Sequence, residues 1–568
     1  MLLSLVVGLC SGIAAVCLNY LIRFIRGILP ELSGGSRDWL YWVLPGVGML
    51  LSYLIVRYIV RDNIGHGVTK VLVAVSTNES KIKSHNIWSS FVTSALTIGA
   101  GGSVGAEAPI VYTGAAIGSN FARRFGLSYR NMTLLLGCGA AGAIAGIFKA
   151  PLAGVLFTME ILLFNISMNS MLPLMLSTIS ATVVANVFAG QAPLFQCSLT
   201  PFSMANIPFY VMLGIACGLG SLYFVRMTLH LEDRLSGKPA NGYVRWGLCA
   251  LCLGVLIYLF PMLYGEGYGY LQGLLVGRAD TPCALLSYLS GYAWGIPVFF
   301  LLVFFAKVFA MTFTNAGGGV GGTFGPTLFE GAIMGFVVAR SINLLLGGAG
   351  ISVPEQNFVL VGMAGLMAGV MQAPMTAIFL IAEMTGGYEL LLPLILTSAV
   401  SFGTMRLFEK YSIYSKRIAQ TGELLTHDND KSVLTLLKTS DLIRDKYPRV
   451  SVNATLSEIV AVISESTAAV FPVLDAQGRF QGMLDMDSIR KVMFRKNNLD
   501  RIRVRNVMTQ PKAYVSSGES MESVMDKFDR TEEWRLPVLS ADMRYLGFIS
   551  KSRILMAYRE ELKQISED

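Results

Sequence analysis

The segment Gly139–Pro151 reads GAAGAIAGIFKAP, and the segment Gly362–Pro374 reads GMAGLMAGVMQAP. Seven of the thirteen positions are identical at a constant offset of 223, and the same offset pairs Glu160 with Glu383. Small residues recur in membrane helices because they let helices pack closely, but composition alone rarely keeps one register so long. Two halves with matching Gly- and Pro-interrupted segments indicate a transporter fold with an internal, inverted repeat and a site at the repeat interface.

A second pair of motifs lies beside the first. Gly105–Pro109 reads GAEAP and Gly322–Pro326 reads GTFGP, at an offset of 217. Both interrupt apolar stretches, so the sequence predicts broken and re-entrant helices. Such backbone is tolerated at membrane depth only where it is buried in protein or lines a cavity.

The composition assigns the class of protein. The 568 residues are 53% hydrophobic and only 14% charged, whereas a soluble domain is about 25% charged. Residues 1–414 contain 21 Lys and Arg and 15 Asp and Glu, and residues 415–568 contain the remaining 24 and 22. These values exclude a soluble enzyme and a disordered chain, and predict a polytopic, all-α membrane domain in the lipid bilayer followed by a soluble tail. No basic run stands clear of acidic residues, so we expect no nucleic-acid partner.

The tail contains a repeat of its own. Phe471–Asp475 reads FPVLD and Leu536–Ser540 reads LPVLS, at an offset of 65, and each follows an amphipathic helix and precedes a second strand. This pattern resembles a tandem pair of cystathionine-β-synthase (CBS) domains, which are α/β modules. We therefore divide the chain into a membrane domain, two repeat halves, a linker and two CBS domains: 1–415, roughly 1–200 and 201–415, 416–440, 441–495 and 502–560.

Glu107 is the residue at membrane depth that most needs an explanation. Placing a carboxylate there costs about 2.5–3.5 kcal/mol or more, which indicates a functional group. Pro109 suits the first turn of a helix, and the free N–H groups of a helix start bind anions. A carboxylate beside such a site can act as a tethered competitor for an anion. The alternative is that Glu107 is a helix-start charge at the membrane surface.

Four motifs in order carry a resemblance to the CLC family of chloride channels and proton/chloride exchangers. They are GHGV at Gly65–Val68, GAEAP at Gly105–Pro109, GTFGP at Gly322–Pro326, and Tyr414 followed by Ser415. The resemblance implies chloride as the transported ion and a homodimer with one pathway in each subunit. It also implies a multi-pass protein of the cell (inner or plasma) membrane with cytoplasmic CBS domains.

The resemblance implies roles for individual residues. Glu107 would be the gate. The chloride ligands would be His66, Gly67, Val68, Thr323, Phe324 and Tyr414. His66 replaces the serine of the family pattern, and its imidazole either donates to the anion or points away. Glu107 lacks the usual preceding cation and following glycine, because Ala106 and Ala108 stand there.

The proton path decides between channel and exchanger. The family's intracellular proton-transfer glutamate falls at Ile161, which cannot bind a proton, and Glu160 next to it is the candidate for such a path. We therefore expect a voltage-gated-type chloride channel, with the proton-coupled antiporter as the alternative. An enzyme is not expected, because His, Cys and acidic residues form no catalytic or metal-binding arrangement. A CBS-bearing divalent cation channel is a remote alternative. A closer alternative is that the chain resembles the fluoride-selective relatives of the family.

The CBS pair raises the question of an adenine nucleotide. Family members that bind one place an acidic residue near the start of the last helix of each domain, where this chain has Ser488 and Arg553. Ser550 occupies the preceding Ser/Thr position. The resemblance thus allows a nucleotide at Ser550 and Arg553 and leaves open a purely structural, dimer-forming pair. No other cofactor is expected.

Overall fold

A computed structural model gives the structure of the chain. It describes residues 1–33, 40–77, 80–162, 168–235, 241–278, 283–420, 437, 439–466, 468–493, 500–540 and 542–558. These residues form two compact units, Met1–Leu425 and Thr426–Asp568. Most of the predicted linker 416–440 lies outside the described residues.

The first half of the membrane unit is helical. Its helices are α1 (Leu2–Ser33), α2 (Leu40–Leu54), α3 (Gly67–Thr77), α4 (Ser89–Gly99), α5 (Glu107–Arg124), α6 (Tyr129–Phe148), α7 (Pro151–Phe157) and α8 (Met168–Ala189). Residues Ile55–Val60 and Thr158–Leu162 extend α2 and α7 as π-helix.

The second half is also helical. Its helices are α9 (Ile207–Leu235), α10 (Gly242–Leu259), α11 (Tyr268–Leu275), α12 (Ala284–Leu289), α13 (Gly295–Ala316), α14 (Phe324–Leu346), α15 (Glu355–Met371), α16 (Pro374–Met384), α17 (Leu391–Phe408) and α18 (Ile413–Gln420). Among the described residues, nine helical segments are long and apolar enough to span a membrane. The chain is therefore a multi-pass membrane protein, and the predicted fold class is confirmed.

The repeated glycines explain why the motif recurs. α5 crosses α6 where Gly114 meets Gly139, and a Cβ atom on either residue would overlap the backbone of the other. α14 crosses α15 in the same way, at Gly331 and Gly362. The first glycine of each thirteen-residue segment is thus the point at which two helix backbones touch, as small residues permit in membrane proteins.

The polar residue before each Ala-Pro pair ends a helix. Lys149 closes α6 and Gln372 closes α15, both in the left-handed region, with φ of 57° and 53°. Pro151 and Pro374 then open α7 and α16, where the missing proline N–H leaves no bond unmade. These two breaks interrupt the membrane helices at equivalent positions of the two halves.

The tail consists of two similar α/β units. Its helices are α19 (Thr439–Leu442), α20 (Leu456–Ser464), α21 (Met486–Met493), α22 (Met521–Thr531) and α23 (551–558). Its strands are β1 (Val450–Ser451), β2 (Val470–Leu474), β3 (Phe480–Asp485), β4 (Val515–Ser516), β5 (Arg535–Leu539) and β6 (Tyr545–Ser550).

The two sheets of the tail have the same topology. In the order β1-β2-β3 and β4-β5-β6, the first pair of strands is parallel and the second antiparallel. The register shifts between Val473 and Leu474 in one sheet and between Val538 and Leu539 in the other. The predicted strands and the 65-residue offset are therefore found as expected.

Candidate functional site: the facing helix starts of α5 and α14

The Gly-rich breaks before α5 and α14 lie side by side. Gly105 donates its N–H to Gly322 at 3.0 Å, and Gly322 donates its own to Gly105 at 2.7 Å, in an antiparallel bridge. Thr314 accepts a hydrogen bond from the Ser103 N–H, and Thr97 accepts one from the Val320 N–H. Each contact is repeated at an offset of 217, so the two breaks are related by an approximate two-fold axis.

Glu107 reaches from the first of these helix starts to the second. Its residue is only 2% exposed. The Gly325 N–H, in the first turn of α14, donates to one carboxylate oxygen at 3.2 Å, and the Tyr268 hydroxyl donates to the other at 2.6 Å. The carboxylate therefore occupies a helix N-terminus, where free N–H groups and the helix dipole favour a negative charge.

A cavity of about 300 Å³ opens beside Glu107. Its lining comes from α1, α11, the end of α6 and the segment before α11, and includes Asn19, Arg23, Arg26, Phe148, Glu266 and Gln272. A guanidinium nitrogen of Arg26 lies 3.5 Å from a carboxylate oxygen of Glu266. Arg26 thus brings to the site a cation that Ala106 does not supply.

Thr323, Phe324 and Tyr414 are buried around the start of α14. Thr323 precedes the helix and Phe324 begins it. The Phe324 ring stacks on Phe148 with centroids 5.4 Å apart. Tyr414, in the first turn of α18, has its hydroxyl 3.8 Å from the Met371 sulfur and close to Thr323. The structure thus brings these three predicted residues together near Glu107.

His66, Gly67 and Val68 form the start of α3. His66 has a left-handed backbone, with φ of 55°, and Gly67 packs so closely on Ala108 that a Cβ atom would overlap its carbonyl. The backbone of this turn therefore reaches the first turn of α5. The imidazole takes another direction, with Nε2 3.8 Å from a carboxylate oxygen of Glu232.

Known proteins resemble this chain in sequence and in fold. The family model described as voltage gated chloride channel matches residues 47–406.

The chain belongs to the voltage gated chloride channel (CLC) family.

The CBS domain model matches 440–495 and 504–560. The chain is 27% identical over 438 residues to the voltage-gated ClC-type chloride channel ClcB of Escherichia coli O17:K52:H18, covering 74% of this chain and 99% of the relative.

Solved CLC structures share the fold. A slow cyanobacterial Cl⁻/H⁺ antiporter has a TM-score of 0.64 at 22% identity, over 74% of this chain and 97% of its own. A eukaryotic CLC transporter has a TM-score of 0.60 at 18% identity, over 97% of both chains. The second comparison extends through the CBS pair of the tail.

Glu160 makes a structural contact in this CLC chain. Its carboxylate accepts hydrogen bonds from the N–H groups of Met375 and Thr376, at 3.0 and 2.7 Å, at the start of α16. Glu383 does the same for Leu152 and Ala153 at the start of α7, at 3.1 and 2.9 Å. Each half therefore caps a broken helix of the other.

Lys307 is a buried cation that the motifs did not assign. Its ammonium donates to the Ser103 hydroxyl at 2.8 Å and to the Gly265 carbonyl at 3.1 Å, and lies 4.9 Å from the centre of the Phe329 ring. In the sequence, Lys307 is the only charged residue between positions 281 and 329. This isolation in an apolar stretch could have marked it as a candidate. Arg26, Glu266 and Tyr268 gave no such signal, because they belong to no motif and reach Glu107 only through the fold.

The proposed nucleotide residues lie in the tail. Ser550 ends β6, and its hydroxyl accepts the backbone N–H of Arg553 at 3.4 Å. The Nε of Arg553 is buried and has no hydrogen-bond partner within the described part of the chain. Ser488 is half-buried on α21. A serine hydroxyl and a guanidinium can bind phosphate, but neither supplies the acidic group that holds ribose hydroxyls.

Proposed function

We propose that this protein transports chloride across the membrane as a gated channel, with Glu107 as the gate. The observation that carries the proposal is the hydrogen bond from the Gly325 N–H to the Glu107 carboxylate. A negatively charged side chain occupies a helix start that otherwise suits an anion, beside a cavity that can admit one.

Transport would begin when an anion replaces the carboxylate. Chloride would then meet the N–H groups at the start of α14, near Phe324 and Thr323, and the hydroxyl of Tyr414. The backbone of His66, Gly67 and Val68 would supply ligands at the start of α3. These groups are partial positive dipoles, and conduction requires binding weak enough for release.

Support for a channel over an exchanger comes from the proton path. Ile161 is buried and cannot carry a proton, and both oxygens of Glu160 accept hydrogen bonds from α16. A proton on Glu160 would have to displace these bonds. The structural neighbour named as a Cl⁻/H⁺ antiporter shares the fold, which does not by itself imply coupling here.

Further proposals concern assembly and location. Apolar side chains at equivalent positions of α8 and α17, Leu172 and Ile395, are 49% and 48% exposed. We place this face in a homodimer within the inner or plasma membrane, with the CBS pair in the cytoplasm. Light scattering on purified protein in detergent would measure the subunit number, and a monomer would contradict the first of these proposals.

Transport is tested in proteoliposomes loaded with chloride. We expect valinomycin to start chloride efflux, with no proton movement recorded by a pH electrode outside. Efflux that is absent from folded protein would overturn chloride transport. Steady proton uptake driven by an outward chloride gradient, and lost in Glu107→Ala, would establish the antiporter instead.

The nucleotide proposal needs its own experiment. Calorimetric titration of the full-length protein with ATP, ADP and AMP distinguishes a nucleotide site from a purely structural pair, and binding that weakens when Arg553 is changed to Gln would establish a site at Ser550 and Arg553. A titration without heat for all three nucleotides would leave the pair as a structural module.

A further inference from the structure

Tyr268 begins α11, and its surroundings fix where its ring lies. Gly267, directly before it, has a left-handed backbone with φ of 81°, and a Cβ atom there would overlap the ring of Phe329 on α14. The start of α11 therefore lies against α14. The Tyr268 ring also packs edge-on against Phe195, with the ring centroids 5.6 Å apart. From this position the hydroxyl reaches the carboxylate of Glu107.

The Tyr268 hydroxyl also lies beside the start of α14. A Cβ atom placed on Gly325 would lie 3.2 Å from this hydroxyl and 3.1 Å from the Glu107 oxygen to which the hydroxyl donates. Because Gly325 has no side chain, the carboxylate, the hydroxyl and the Gly325 N–H meet in one small space.

The two donors that hold the Glu107 carboxylate differ in strength. The Gly325 N–H donates at 3.2 Å, which is at the long end of the range of about 2.7–3.2 Å for such bonds. The Tyr268 hydroxyl donates at 2.6 Å, within the range of about 2.5–2.7 Å for a strong bond from a hydroxyl to an ionised oxygen. The hydroxyl therefore contributes more than the helix start to keeping the carboxylate in place.

Other charged or titratable side chains surround Glu107 without a described hydrogen bond to it. Those that line its cavity or interact with it electrostatically are Arg26, Glu266, Lys307 and Tyr414. Among the described residues, the side chain that donates to this carboxylate is that of Tyr268.

We propose that Tyr268 is the latch of the gate: its hydroxyl holds the Glu107 carboxylate at the start of α14 and must release it before an anion can take its place. Opening then breaks one strong hydrogen bond in addition to the weaker one from Gly325. A protonated carboxyl accepts a weaker hydrogen bond than a carboxylate does, so acid loosens the latch. Tyr268 acts through Glu107 and is a positioning residue. The inference rests on the proposed function, in which Glu107 is the gate.

The test uses Tyr268→Phe, which removes the hydroxyl and keeps the ring. Chloride efflux from proteoliposomes is started with valinomycin and measured over a range of pH. We expect the efflux rate at neutral pH to rise roughly fivefold, because a hydrogen bond to a charged group is lost while the bond from Gly325 remains. The pH of half-maximal efflux should rise by about 0.7 unit, the equivalent of a fivefold change, because the hydroxyl favours the ionised carboxylate.

A second background separates a latch from a residue that only packs. In Glu107→Ala the hydroxyl has no carboxylate to hold, so adding Tyr268→Phe should change the efflux rate by less than about twofold. Two residues that act through one contact have effects that do not add.

A matched control lies on the same helix. Tyr270 is half-buried on α11 and does not line the cavity beside Glu107. Tyr270→Phe removes a hydroxyl from the same helix, and should leave the efflux rate and its pH profile unchanged.

The outcomes distinguish this inference from the proposed function. If Glu107→Ala raises efflux but Tyr268→Phe keeps or lowers the original rate, or keeps the original pH profile, the latch is wrong and the gate stands. If Tyr268→Phe has the same effect in the Glu107→Ala background, or Tyr270→Phe has the same effect as Tyr268→Phe, packing of α11 explains it and the inference fails. If Glu107→Ala itself leaves efflux unchanged, the proposed function fails first.

Discussion

The two halves of the membrane unit share a scaffold and differ at one decisive position. Equivalent glycines bring α5 to α6 and α14 to α15, and equivalent glutamates, Glu160 and Glu383, cap the helix starts of the opposite half. At the facing helix starts the symmetry ends, because the first half has Glu107 where the second has Phe324. The symmetric residues hold the fold together, and the asymmetric pair provides a charge on one side of a site and a hydrophobic ring on the other.

The largest effect should come from removing the asymmetric charge. Glu107→Ala deletes a carboxylate held by two hydrogen bonds, and bonds to charged groups contribute about 1.5–3 kcal/mol each. We expect chloride efflux from proteoliposomes to rise about tenfold, equivalent to ~1.4 kcal/mol, and to lose its dependence on the pH of the solution that reaches the cavity.

The matched change in the other half is Phe324→Ala, which should lower the stability of the protein without removing the pH response. If folded Glu107→Ala kept the efflux rate and pH response of the original protein, the asymmetry would have no role in gating.

A smaller effect is expected for Arg26, which contributes its charge to the first half alone. In Arg26→Gln, chloride efflux at low ionic strength should fall roughly fivefold, and the double variant with Glu266→Gln, which removes one positive and one negative charge, should fall less. One charge a few ångströms from the ion is worth about 1 kcal/mol or more.

Salt provides the check on this prediction. The deficit should shrink as the ionic strength rises, since salt screens exposed charges, and Arg26→Lys should retain most of the flux. A deficit that is equally large at high salt would indicate damage to packing rather than a lost charge.

The symmetric glutamates should behave alike. Glu160→Gln and Glu383→Gln each weaken two hydrogen bonds to a helix start, so each should lower the free energy of unfolding by about 1–3 kcal/mol. Thermal unfolding in detergent would measure both. If Glu160→Gln alone abolished proton-coupled uptake at unchanged stability, Glu160 would be a proton carrier and the equivalence would be broken.

The smallest effects should come from Thr97 and Thr314, which accept the N–H groups of Val320 and Ser103. Thr97→Val and Thr314→Val each leave one buried N–H unpaired, and each should cost about 1–3 kcal/mol, near the lower end because a threonine hydroxyl is a neutral acceptor. The same unfolding assay measures both variants. A difference of more than about 1 kcal/mol between their losses of unfolding free energy would show that the two halves bear unequal strain.

The repeat was visible in the sequence because its cause is local. Gly139 and Gly362 lie where two helix backbones touch and a Cβ atom would overlap the other backbone, so they keep their register. The position of Glu107 before Pro109 marks a helix start. The partners of Glu107 were not predictable in the same way. Tyr268 is 161 residues away along the chain, and nothing in its local sequence distinguishes it from a tyrosine at a helix end.

The imidazole of His66 illustrates the second limit of sequence reasoning. The sequence left two directions open for it, and the structure selects one through Glu232, which belongs to no recognised motif. The role of a backbone group, such as the Gly325 N–H that donates to Glu107, can be predicted from its position in the motif. Side-chain roles depend on which distant helix supplies the partner.

The reciprocal caps have a consequence for how the chain is made. The N–H group of Ala153 at the start of α7 donates to Glu383, which is synthesised 230 residues later. At a synthesis rate of about 5–20 residues per second, this interval lasts roughly 12–46 s. During that time the nascent first half holds an incompletely bonded helix end within the membrane domain, and an unsatisfied backbone group in lipid costs several kcal/mol. The nascent chain is therefore most open to recognition by quality-control proteins after the first half has been made and before the second is complete. Insertion of the second half ends that period.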